Sequence, residues 1–154
     1  MPPSNILTVF QNKILVIAFI TWAIAQAVKP FIGYLITRQF DWRMFFSTGG
    51  MPSSHATLVS SVAVGVGLIV GWASPEFALA VTLAIVVIYD AAGVRRQAGM
   101  HAQAINLIMQ EVLQGQPISE TELREVLGHT PVEVLAGVLW GSLATFTIWY
   151  FWKW

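Results

Sequence analysis

Apolar residues run along this chain in four blocks with polar breaks between them. The first block is uncharged from Ile14 to Val28 and, after Lys29-Pro30, resumes as FIGYLI. A helix crossing bilayer hydrocarbon needs about 20 mostly apolar residues, so this block reads as one span over about 14–37. Proline removes a helix hydrogen bond, which predicts a kink near Pro30. Lys29 then falls near the end of the span or slightly inside it. The second block predicts a span over about 54–73. The link GWASPEF carries Ser74-Pro75, a turn signal, and Glu76 joins the first turn of a third span over about 76–96. That span is apolar through Tyr89, then meets Asp90, Arg95 and Arg96. The fourth, about 132–152, closes on TIWYFWKW, the aromatic and basic belt expected at a membrane interface.

Residues 97–131, between the third and fourth spans, are more polar. Ile105, Ile108, Met109, Val112 and Leu113 follow the i, i+3, i+4, i+7, i+8 spacing of an amphipathic helix, which Gly115 and Pro117 end. Ser119-Glu120-Thr121-Glu122 has the pattern of a capping box opening a short helix, and Gly128 closes it. Thr130-Pro131-Val132-Glu133 repeats the pattern at the start of the last span, with proline at the first helical position. The predicted fold is all-α: one integral membrane domain over 1–154 with four transmembrane helices and a helical connection.

Composition supports this reading. Of 154 residues, 56% are hydrophobic and 10% charged, against about 25% charged in a typical soluble domain. The net charge is zero, so nothing points to nucleic acid. Cysteine is absent, which excludes disulfides, thiolate metal sites and cysteine nucleophiles together. The opening MPPSNILTVF has neither a positive charge nor a small-residue cleavage site, so no removable signal peptide is expected. Lys29, Arg38, Arg43, Arg95, Arg96 and Arg124 fall on one side of the predicted membrane, with Lys13 and Lys153 opposite. The positive-inside rule places the richer side in the cytoplasm and both termini outside.

The candidate chemistry begins at GGMPSSHA, residues 49–56. Glycine lets a backbone approach a ligand closely, and Pro52 fixes one φ angle near a helix start. Ser53 and Ser54 place hydroxyls beside N–H groups with no partner inside the helix, a setting that suits phosphate. His55 adds an imidazole that titrates near neutrality. The plain alternative is a glycine turn, a serine N-cap and an incidental histidine. A short link makes spans two and three antiparallel neighbours, so His55 at the start of one and Asp90 to Arg96 at the end of the other share a membrane side. Lys29, His101 and His129 belong to that side as well. Ionisable groups in or beside a bilayer normally face a bundle interior or wet cavity, where they pair or work. Arginine and lysine would hold phosphate oxygens, and a histidine could be the nucleophile or the acid. Each also has a plainer role. Arg95 and Arg96 could snorkel to headgroups, Asp90 could pair with an arginine, His101 could be merely solvated, and His129 could cap a helix end.

GGMPSSHA, YDAAGVRRQAG and LGHTPVEVLAG together resemble the divergent branch of the type 2 phosphatidic acid phosphatase superfamily, the acid phosphatase/vanadium-dependent haloperoxidase-related proteins. The resemblance covers about Lys29 to Gly137. The parent motifs are K-x6-R-P, P-S-G-H and S-R-x5-H-x3-D. By resemblance, Pro52-Ser53-Ser54-His55 stands for the second with serine in place of glycine, implying His55 as leaving-group acid and its serines as phosphate ligands. Arg95 and His101 fit R-x5-H, implying a phosphate ligand and a nucleophile. Val94 stands where serine is expected and Ile105 where the aspartate is, so His101 lacks an orienting carboxylate. Lys29 is followed at the motif distance by Ile36-Thr37, with Arg38 two residues late. By the same resemblance, divergent members often carry glutamine at the position of His101, which would leave the chemistry to His55 or His129, or imply that the branch does other chemistry.

The expected function is hydrolysis of a lipid or isoprenoid phosphate at the membrane interface without a metal or other cofactor. Its catalytic candidates are His55, His101, His129 and Asp90, and its phosphate-binding candidates Lys29, Ser53, Ser54, Arg95 and Arg96. The alternative is a non-catalytic protein that binds anionic lipid or serves as a subunit of a larger membrane complex; seven tryptophans could offer a homo-oligomeric surface. Transport of a small anion needs a pathway to both faces, and the polar groups all lie on one.

Overall fold

The computed structural model describes residues 6–47, 49–93, 97, 99–102, 104–106, 109 and 129–152. Each long helix opens on a side chain able to accept from an N–H that the helix itself leaves unpaired. After a short 3-10 helix, Ile6–Gln11, Asn12 accepts from Leu15 N at 3.2 Å and starts α1, Lys13–Thr37. This helix continues through Pro30 as one element and ends at Arg38, whose N–H reaches Tyr34 O at 2.8 Å. A second 3-10 helix, Trp42–Phe46, is capped by Asp41. Ser53 opens α2, Ser54–Ile69. Ser74 opens α3, Pro75–Ala92, with proline in its first turn. Thr130 and Glu133 form a full capping box at the start of α4, Pro131–Phe151, as their spacing predicts.

Two boundaries fall short of the expected spans. α2 stops at Ile69 rather than near Ala73, because the chain turns through Gly71, at φ 124°, to reach the cap at Ser74. Regular α3 ends at Ala92, with Gly93 as its C-cap, and 94–96 lie outside the described residues. Helical residues resume at 97 and recur to 109, in the predicted amphipathic stretch; the predicted short helix from Ser119 lies outside the described residues.

α1, α3 and α4 are long and apolar enough to cross a membrane, and α2 is a shorter apolar helix. Its 16 residues span about 24 Å at roughly 1.5 Å per residue, against about 30 Å of hydrocarbon.

α2 is the hub, touching α1, α3 and α4. Its buried face is made of small residues, among them Ala56, Thr57, Ser61, Ala63 and Gly65. That composition follows from the medium: lipid tails are as apolar as leucine, so helices associate by close packing and not by hydrophobic contrast. α4 runs parallel to α2. Ser53 N meets Glu133 O at 3.0 Å, Thr57 Oγ1 donates to Gly137 O at 3.3 Å, and the Ser61 and Thr145 hydroxyls bond one another further along. The approach is so close that a Cβ on Gly137 would lie 2.6 Å from Ser53 O. α1 is antiparallel to α2, with Lys29 beside Ser54 at one end and Ile14 against Gly65 at the other. α3 leaves Leu79, Leu83 and Val86 exposed on one face, the face that lipid covers.

Candidate functional site

The first turn of α2 is held from three directions. Ser53 is fully buried; its hydroxyl accepts from Ala56 N at 3.4 Å and its N–H is on Glu133 O. Its polar groups are engaged in fixing α2 to α4. Ser54 donates to Gln26 Oε1 at 2.6 Å and accepts from Lys29 Nζ. Lys29, wholly buried in α1, also donates to Ser47 O at 3.0 Å, while Gln26 Nε2 donates to Phe45 O at 3.2 Å. A buried ammonium is costly unless its hydrogens find acceptors. Meeting that demand is what stitches α1, residues 45–47 and α2 together. Gly50, at φ 83°, supplies the left-handed turn that brings the chain back toward α2.

His55 follows directly and is half-buried. It lines a cavity of about 350 Å³ together with Gln26, Ser47 and Ser54 on the polar side and Phe19, Trp22, Phe46 and Leu58 on the apolar side. Its ring also stands 6.0 Å, centre to centre, from the ring of His129, at 63°. His129 is buried, and its Nδ1 lies 3.1 Å from Glu133 Oε2. The same oxygen accepts from Thr130 N at 3.1 Å. A carboxylate can only accept, so this contact places the proton of a neutral ring on Nδ1 and leaves the lone pair on Nε2. The cap of α4 and the orientation of His129 thus depend on one carboxylate.

Parallel packing brings the N-termini of α2 and α4 side by side at this point. Each helix start carries unpaired N–H groups and about half a positive charge, so the two together favour an anion. The site is also recessed. Lys29 lies eight residues before the end of α1 at Thr37, about 12 Å below it along the helix.

Five residues singled out from sequence therefore converge: Lys29, Ser53, Ser54, His55 and His129. Asp90 is half-buried in the last turn of α3, on the same membrane side. His101 is exposed on the helical stretch beyond it. Arg95 and Arg96 lie outside the described residues. Three participants were not anticipated: Gln26, Ser47 and, as partner of His129, Glu133. Gln26 had a signal, being an amide one turn before Lys29 in an otherwise apolar block. Glu133 had one too, standing i+4 from His129. Ser47 contributes its backbone carbonyl to Lys29, and a carbonyl leaves no mark in a sequence.

A sequence model described as the divergent PAP2 family matches residues 10–144. The chain is 39% identical over 138 residues to the uncharacterized membrane protein YuiD of Bacillus subtilis (strain 168), covering 82% of this chain and 87% of that one. No solved structure matches.

Proposed function

The chain belongs to the divergent PAP2 family of membrane proteins, and from that premise we propose that it hydrolyses a phosphate monoester or diphosphate carried by a lipid or isoprenoid. One observation carries this reading: the His55 imidazole lines a cavity at the adjoining N-termini of two parallel helices. The phosphate lies at Ser54 and His55, where the helix starts stabilise its charge and that of the transition state. His55 donates its proton to the leaving oxygen as the P–O bond breaks. Water adds to phosphorus, and the proton it loses returns to the ring. His129, held by Glu133, stands behind His55 and fixes its position.

Detergent-solubilised protein should release phosphate from at least one of phosphatidate, phosphatidylglycerophosphate and a polyprenyl diphosphate. His55→Ala should abolish release, His129→Ala should lower it, and His101→Ala should leave most of it. Silence of the wild type across that panel would end the catalytic reading. A second reading, an anionic-lipid-binding protein or complex subunit without catalysis, draws support from the internal engagement of Lys29 and Ser53, which leaves fewer groups for a phosphate. It predicts stoichiometric copurification with a membrane complex and no phosphate release. By the positive-inside argument, we place the site on the cytoplasmic side.

A further inference from the structure

The cavity has two unlike halves, and their order along the membrane normal is informative. On α1 its lining residues are Phe19, Trp22 and Gln26, and on α2 they are Ser54, His55 and Leu58. Gln26, Ser47, Ser54 and His55 cluster at the level of Lys29, whereas Trp22, Phe19 and Leu58 lie deeper. From Gln26 to Phe19 is seven residues, about 10 Å of helix. The cavity lies between two contacts of α1 with α2. The Lys29–Ser54 contact shuts the polar end, and α1 meets α2 again at the far end, where a Cβ on Gly65 would be 3.3 Å from Ile14. The bonded chain at 45–47 covers the top. On its outer side stand Phe19 and Phe46, which are 59% and 83% exposed. It therefore opens sideways toward lipid.

We propose that this cavity is a slot for one hydrocarbon chain, reached laterally from the bilayer, and that its ligand is a single-chain amphiphile with an anionic head at Ser54 and His55. The volume of about 350 Å³ is near the lower end for small-molecule sites, roughly 300–1,000 Å³. It accommodates a head and the first segment of one chain, with the remainder leaving between Phe19 and Phe46. The proposal rests on the phosphatase-like reading only for the charge of the head. A polyprenyl or lysolipid phosphate fits this description better than a diacyl lipid does.

Trp22 provides a test that needs no turnover. Purified full-length protein in phosphatidylcholine nanodiscs is titrated with lysophosphatidate carrying a brominated chain, and in parallel with phosphatidate brominated on both chains. Expected is a saturable quench by the single-chain probe that is missing in Trp22→Phe, with the two-chain probe needing at least tenfold more. Leu58→Phe, which narrows the slot, should raise the half-quenching concentration about tenfold, and Leu83→Phe on the lipid face of α3 should not change it. Unfolding midpoints of the variants confirm that each is folded. Equal quenching of wild type and Trp22→Phe, equal response to both probes, or indifference to Leu58→Phe would overturn the slot. Binding without hydrolysis would refute the catalytic reading and spare the slot; hydrolysis indifferent to Leu58→Phe would do the reverse.

Discussion

Replacing Gly137 by alanine sets two effects of opposite sign against each other. Alanine is the better helix former, by about 1 kcal/mol over glycine, so propensity alone predicts a more stable α4. The new Cβ, however, would stand 2.6 Å from Ser53 O and 2.9 Å from Ala56 Cβ, and ordinary contacts begin at 3.4 Å. The first neighbour is backbone and cannot swing aside, so α2 must retreat by about 0.8 Å to regain a normal separation. Overpacking of this kind costs about 1–3 kcal/mol. The shift also weakens the bond from Thr57 to Gly137 O and the one from Ser53 N to Glu133 O, together about 1–2 kcal/mol. The steric and hydrogen-bond losses exceed the propensity gain, and the net destabilisation is about 1–4 kcal/mol. Reversible unfolding by SDS titration in mixed micelles, followed by circular dichroism, measures it. Gly33→Ala is the internal control, because its Cβ would meet only the flexible end of Met44 and propensity should prevail there. If Gly137→Ala were as stable as Gly33→Ala, the close backbone approach of α2 and α4 would be refuted, and with it the reason His55 lies beside His129.

Glu133→Ala removes the acceptor for Thr130 N and the partner of His129; denaturant titration should show a loss of about 0.5–2 kcal/mol, and Glu133→Gln, which keeps an acceptor, a smaller one. A double-mutant cycle on Ser61→Ala and Thr145→Ala should return a coupling of about 0.6 kcal/mol and no more than about 1.7, and zero coupling would mean that the two hydroxyls do not meet. The absence of cysteine makes topology simple to read. Gln39→Cys, just past α1 on the site side, should resist an impermeant maleimide on intact cells, whereas Gln11→Cys, just before α1, should react. The opposite pattern would put the site outside.

Much of the local structure was legible in the residue order because it depends on neighbours within one turn. Asn12, Ser53, Ser74 and Thr130 each accept from an N–H three residues ahead, and the capping box at Thr130 and Glu133 could be read directly from its spacing. Three of the four apolar blocks likewise announced helices of spanning length, and the second a shorter one. The site was legible in part. GGMPSSHA marked the first turn of α2, and the short link at Ser74 placed Asp90 on its side of the membrane. The internal engagement of Lys29 was not legible, since one of its acceptors is a backbone carbonyl and the other belongs to a helix reached only after the chain has turned through Gly50.

What the sequence determined by itself is therefore the long apolar helices, the capping box at Thr130, and the common side on which Lys29, His55, Asp90 and His129 fall. The tertiary structure alone decided which helix faces which. In a soluble protein the apolar stripe names the buried face. In hydrocarbon the lipid-facing Leu79 and Leu83 and the buried Ile17 and Val66 are equally apolar, so the pattern does not distinguish a core from a lipid surface. Only the fit of Gly137 and Gly141 against the backbone of Ser53 and Thr57 makes the parallel helices α2 and α4 neighbours. That fit sets His129 and its carboxylate beside His55, bringing together residues that are distant in the chain.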